Sequence, residues 1–382
     1  MMLPIVVRCY RMAAGAEKKT EEEEEFLMET QDVVKEWEQQ LRAEGEKTGE
    51  RRALTAAAGS GAYAIAPGRL WQLLMQPLVQ PPVPSATKPE ADQLVFWTLR
   101  APRLLLAVCT GAALGLAGAL LQGVFRNPLA DPGLVGVSSG AALAAALAIV
   151  AGEAWWPALP RLLGSWTLVV CAFGGALLAT ALVYAVAQVR GATRLTVMLL
   201  AGVAINALAG ALLGWISQVA TDAQLRALQF WLLGSLGGAR WSAVAGVGAL
   251  VLLALGAALR LARPLDALAL GEAQAHAMGV AVERVKRQAV LCVALAVGAV
   301  TALTGIVGFV GLVAPHGVRL LAGPGHRGLL PGSALLGAAL VLVADAFART
   351  AAAPAELPLG VLTAAIGAPF FLLLLMRGRE HA

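Results

Sequence analysis

The sequence predicts an all-α fold: a polytopic transmembrane helical bundle of about nine crossings, with an acidic N-terminal helix ahead of it. Three observations carry that prediction. The chain of 382 residues is 58% hydrophobic and 14% charged, with a mean hydropathy of +0.72, outside the range of soluble domains. Apolar runs of about 20 residues, the length that crosses a hydrocarbon core, recur along the chain without a charged face. Lys and Arg gather in alternate connections, as in the cytoplasmic loops of multi-spanning proteins.

Residues 1–60 form a polar extension. The patch Met2–Val7 precedes Arg8 and Arg11, the reverse of the charge order of a signal peptide. Residues 17–48 predict a solvated helix in which Leu27, Val34 and Leu41 recur at seven, beside Val33 and Trp37, as one narrow apolar stripe. Residues 1–50 hold 13 of the 24 acids but only seven of the 29 Lys and Arg. The stretch 53–66 is too short to span, and 76–92, with five prolines, predicts an extended connection.

The transmembrane domain, 61–382, is organised around Arg100–Leu147. Two apolar runs, 104–124 and 134–152, are joined by the polar turn Arg126-Asn127-Pro128-Leu129-Ala130-Asp131-Pro132-Gly133. Gly111, Gly115 and Gly118, spaced by four and three, share one helix face on which a neighbouring backbone can approach closely. Further runs follow at 165–187, 195–217, 241–259, 288–305, a short glycine-broken 306–322, 330–349 and 357–376, and 224–236 has the polar edges of an interfacial segment. One set of connections holds Arg126, Arg190, Arg194, Arg260, Arg263, Arg284, Lys286, Arg287, Arg327, Arg377 and Arg379; the other holds Lys88, Arg100, Arg103, Arg161, Arg226, Arg240 and Arg349. The richer set belongs in the cytoplasm, with the C-terminus there and residues 1–95 outside.

Enzyme chemistry is not encoded. There is no GxxxxGK[ST] or HExxH, so nucleotide chemistry would have to come from another chain. Cys9, Cys109, Cys171 and Cys292 are scattered without metal or disulfide spacing, as are the four histidines. No basic stripe interleaves with aromatics, which argues against nucleic acid as a partner.

Three groups of residues remain as candidates. Loop 264–288, two short helices broken near Gly271 and Gly279, carries Asp266, Glu272, Glu283, Arg284, Lys286 and Arg287; it is either a solvated connector or a docking surface for a soluble partner. Arg100 and Arg103 share a helix face, and Arg349 ends a distant helix at the same membrane level. They either snorkel to the interface or offer forked donors to a partner's carboxylates. Gln122, Asn206 and Asp345 stand in apolar helices, where a polar group serves a pathway or a packing hydrogen bond; the i, i+4 spacing of Asp345 and Arg349 suits a local ion pair.

With these residues placed, the sequence resembles, over about residues 62–379, the permease subunits of type II ABC importers for iron-siderophores, haem and vitamin B12. The blocks that carry it are RAPRLLLAVCTGAALGLAGALLQGVFRNPLADPGLVGVSSGAAL, LLAGVAINALAGAL, LALGEAQAHAMGV, GIVGFVGLVAPHGVRLLAGPGHRGLLPGSALLGAALVLVADAFAR and ELPLGVLTAAIGAPFFLLLL. The resemblance implies a multi-pass protein of the bacterial inner membrane, paired with a second copy of itself and surrounded by membrane lipid. Two ATP-binding cassette subunits would bind ATP and Mg on one side, and a periplasmic substrate-binding protein would deliver cargo on the other. No cofactor would be bound permanently. Loop 264–288 would be the coupling loop, with Asp266 in it and with Gly271, Glu272 and Gly279 matching its motif; Arg100, Arg103 and Arg349 would meet acids of the binding protein. The blocks at Leu199–Leu212 and 221–241 are most similar to haem importers, so haem is the expected cargo, with a ferric siderophore or cobalamin as the alternative. A receptor or scaffold that moves nothing is the alternative of another class. Family members normally have ten spans, the first just before the region like Gly61–Leu74; here the acidic helix 17–48 stands in its place.

Overall fold

The computed structural model describes residues 91–155, 157–351 and 355–379. The chain divides into two units, Met1–Ala56 and Ala57–Ala382, and every described residue belongs to the second. The acidic helix expected at 17–48, the extension 1–60 and Lys88 lie outside the described residues.

Each of the nine apolar runs contains a helix. Among the described residues, six helices are long and apolar enough to cross a membrane: α1 (Asp92–Phe125), α3 (Thr167–Ala187, which a short preceding turn extends), α4 (Leu195–Val219), α6 (Trp241–Arg260), α9 (Val282–Thr304) and α11 (His326–Thr350). Three shorter apolar stretches are helical too: α2 (Val137–Val150), α10 (Val310–Ala322) and Leu359–Pro369 at the start of α12 (Leu359–Arg379). The interfacial segment is α5 (Asp222–Leu233), opened by a capping box between Thr221 and Gln224. The long polar loop contains α7 (Ala262–Ala269) and α8 (Glu272–Ala277).

Two boundaries differ from the sequence-based expectation. Helix α1 begins about three turns before the apolar run, passing through a π-helical turn at Phe96–Arg100. Pro102, with no N–H to return to the preceding turn, stands two residues after its last residue, Arg100, and a widened turn accommodates that missing bond. Helix α10 begins only at Val310, because Gly305 (φ 70°) and Phe309 (φ 66°) hold 305–309 out of helical geometry. That break is seated on two others: Ser235 N donates to the Thr304 carbonyl at 2.7 Å and Leu359 N to the Gly234 carbonyl at 3.0 Å.

Helices α1 and α9 are the most buried of the long helices. The glycine face of α1 is the seam that sequence spacing predicts: a Cβ on Gly111, Gly115 or Gly118 would collide with the backbone carbonyl of Gly337, Ser333 or Gly311 respectively. Gly337 and Ser333 lie on α11, which runs antiparallel to α1. Its start, His326, packs on Gly123 near the end of α1, and its end, Asp345, bonds Arg103 near the start. The 20 residues from Arg103 to Gly123 rise about 30 Å, roughly the thickness of a hydrocarbon core. The bundle therefore has two polar ends, one carrying loop 264–288 and the other carrying Arg103.

Candidate functional site

At the loop end, the two breaks fall where the glycines predict them. Gly271 (φ 128°) and Gly279 (φ 80°) adopt backbone conformations that a side chain would strain, and this frees α8 from the helices on either side. The centre of this end is Lys286, in the first turns of α9 and only 1% exposed. Its ammonium donates to Glu272 Oε2 at 2.8 Å, Glu283 Oε1 at 3.1 Å and the Thr193 carbonyl at 3.0 Å. Glu283 Oε2 in turn accepts from Thr193 N at 2.8 Å and from the Thr193 hydroxyl. Thr193 belongs to a tight hairpin between α3 and α4, β1 (Gln188–Val189) paired antiparallel with β2 (Ala192–Thr193). Arg190 and Gly191 both take positive φ in its turn, as a two-residue hairpin requires. A second tie joins α7 to α11: Asp266 Oδ1 accepts from His326 N at 2.9 Å and lies 2.7 Å from His326 Nδ1. A cleft of about 340 Å³ opens beside α8, lined by Glu272, His276, Ala281, Val282, Glu283 and Arg284.

The opposite end is built around an anion. Asp345, 1% exposed, accepts from Arg349 Nε at 3.0 Å and from Arg103 Nε at 3.0 Å. The first is the local pair expected from the i, i+4 spacing; the second comes from α1. Arg103 also grips Glu356, in the connection before α12, with two bonds of 2.8 and 3.0 Å. That grip holds the Glu356 carboxyl below the usual carboxylate range, with Arg349 adding to the effect. Arg100 is buried in the same region. The forks of Arg103 and Arg349, proposed from sequence as donors to a partner, are thus already engaged by acids of this chain. Glu356 was missed; the available signal was a lone acid facing an arginine-bearing mouth.

The intramembrane amides are both bonded. Gln122 is buried, donates from Nε2 to the Gly311 carbonyl at 3.2 Å and accepts from Arg319 Nη1. These bonds join α1 to α10. Asn206, on α4, accepts from Ser139 Oγ at 2.6 Å and donates to the Gly133 carbonyl at 3.1 Å, yet remains partly exposed. Among the described residues, no group of three or more His, Cys, Asp or Glu is arranged to hold a metal ion.

Comparison with known proteins accords with this arrangement. A family model described as the FecCD transport family matches residues 53–377. The chain is 46% identical over 287 residues to the hemin transport system permease protein HmuU of Yersinia pestis, covering 75% of this chain and 84% of that protein. It is 44% identical over 292 residues to the cobalamin import system permease protein BtuC of Halobacterium salinarum, covering 76% of each. A solved metal-chelate type ABC transporter in an inward-facing conformation is similar in structure, with a TM-score of 0.65 and 31% identity over 81% of this chain and 97% of that one.

Proposed function

Since the chain belongs to the FecCD transport family and is a multi-pass inner-membrane permease subunit of a type II ABC importer, we propose that its cargo is haem. The observation that carries this reading is the 46% identity to a hemin permease. The blocks at 199–212 and 221–241, most similar to haem importers, form α4 and α5. In the proposed assembly two copies pair along the cargo route, two ATPase subunits hold ATP and Mg, and a periplasmic binding protein supplies haem. The abundance of Lys and Arg around loop 264–288 puts that end in the cytoplasm, where Asp266, Gly271, Glu272 and Gly279 belong to the surface that receives the ATPase. The Arg100, Arg103 and Arg349 end then receives the binding protein, whose acids must share or displace Glu356.

Helix α4 supports a route along the pairing face. It is the least buried of the six long helices. Val203, Ala207, Gly210 and Gly214, spaced by four, three and four, expose a strip of small residues on it, with open space at both glycines. Small apolar groups grip cargo weakly, which suits a site that must release it. Asn206, one position from Ala207, is the intramembrane polar group closest to that strip in sequence.

A cobalamin cargo is the second reading, favoured by the 44% identity to a cobalamin permease. Uptake by proteoliposomes holding the permease, its ATPase and its binding protein separates the two. Haem should enter only with ATP; entry of cobalamin or a ferric siderophore in its place would refute haem while keeping the importer. No uptake of any of the three with every partner bound would favour a receptor that moves nothing.

A further inference from the structure

We propose that Lys286 is a positioning residue: it carries movement of α8 to the α3–α4 hairpin and so to the start of α4. The proposal rests on the reading of loop 264–288 as the surface that receives the ATPase.

An ammonium has three N–H donors and no acceptor. Here all three are used, each on a different part of the chain: Glu272 at the start of α8, Glu283 on α9 itself, and the Thr193 carbonyl in the hairpin. Thr193 is held at every polar atom, since its N–H and hydroxyl both donate to Glu283. The hairpin cannot absorb a displacement by bending, because it is a two-residue turn closed by the pairs Gln188–Thr193 and Val189–Ala192. Arg194 N also donates to the Ala187 carbonyl at 3.0 Å. Helix α4 begins at Leu195, two residues beyond Thr193.

Burial makes the joint resist separation. Lys286 is 1% exposed, and a buried cation that loses one of its two carboxylates is less well compensated than before. When α8 moves, the route of lower energy keeps the three bonds and moves the hairpin with it. The second tie acts differently. Asp266 and His326 fasten α7 to α11, and α7 packs on α1 and α11, whereas α8 packs mainly on α7 and α9. The root of the loop is thus fixed to the central seam while its tip, beyond the Gly271 break, is tied to the hairpin. A push on the tip thus has a direct polar path through Lys286 to the start of α4.

The test uses the full importer in proteoliposomes, with spin labels at Ala192→Cys in the hairpin and Ala273→Cys on α8, both exposed positions. With Lys286 present, the label distance should be the same in nucleotide-free and ATP-bound states. In Lys286→Met it should differ between states, and cargo taken up per ATP hydrolysed should fall about tenfold, the scale of one charge-assisted hydrogen bond. Glu272→Gln, which weakens only the α8 arm by removing the charge of its acceptor and leaves Lys286 paired with Glu283, should change both readouts in the same direction if Lys286→Met does not assemble. Asp266→Asn, at the other tie, should leave the label distance constant. A distance that changes with Lys286 intact, or normal uptake per ATP in both Lys286→Met and Glu272→Gln, would overturn the proposal. Cross-linking from Ala277→Cys to the ATPase distinguishes the underlying reading: its absence sinks the coupling loop, while cross-linking with undiminished uptake per ATP sinks only the joint.

Discussion

The two ends of the bundle are built on opposite charges. At the loop end a buried cation, Lys286, is held by carboxylates that are themselves 41% and 40% exposed. At the other end a buried anion, Asp345, is held by guanidiniums that are only 9% and 15% exposed. The difference lies in what surrounds each hub. Around Lys286 the partners reach water and belong to a loop tip and a hairpin, elements able to move together. Around Asp345 the partners are sunk between α1 and α11, whose backbones touch through glycine. One end is arranged to transmit displacement, and the other to keep two central helices in register.

The largest effect should come from breaking the seam between the ends. In Gly115→Val the new side chain has no room against the Ser333 carbonyl, and backbone cannot yield as a flexible side chain would. Both ends hang on that contact, so both fail. The expected outcome is loss of a monodisperse species in detergent, seen by size-exclusion chromatography; a stable, monodisperse variant would mean that α1 and α11 are not the common support.

Next in size are the hubs themselves. Asp345→Ala leaves two nearly buried guanidiniums facing one another, a loss of about 3–5 kcal/mol for a broken buried pair, with Asp345→Asn losing less because acceptors remain. Lys286→Met should lose less, about 1–3 kcal/mol, since Glu272 and Glu283 can turn to water and the main residual cost is the Thr193 carbonyl. Unfolding of the three variants side by side tests the contrast. If Lys286→Met is the less stable protein, the exposure of the partners does not decide the cost.

Much of this architecture was legible in the sequence, for a definite reason. A span is fixed by how many apolar residues run together, so each of the nine runs contains a helix. Neighbours on one helix are fixed by spacing, so the Gly111–Gly115–Gly118 face and the Asp345–Arg349 pair could be read directly. Gly271 and Gly279 marked breaks because their backbone conformations suit glycine. The partners from other helices were hidden. Arg103 meets Asp345 across 242 positions, Gln122 meets Gly311 across 189, and Lys286 meets Thr193 across 93. Periodicity says which face of a helix is special, but not which helix will cover it. That is why the partners of Gln122 could not be named in advance and Lys286 stood as one more loop charge.

The smallest predicted effect is at the rim of the anionic hub. Glu356 is 46% exposed, so its ion pair is screened by solvent, and Glu356→Gln should change stability by no more than about 1 kcal/mol at neutral pH. Its pH dependence is the sharper readout. The hydrogen bonds from Arg103 hold this carboxyl below its ordinary value, so the folded protein binds a proton there less readily than the unfolded chain does. A group of that kind stabilises fully above the unfolded value, about 4.3 for glutamate, and the contribution disappears as pH falls through the lowered folded value. Unfolding of the native chain should therefore lose a small increment below that range, an increment absent from Glu356→Gln. If the two proteins lose stability in parallel as the pH falls, the acid at the rim is not what holds Arg103, and the cluster reduces to Asp345 with its two arginines.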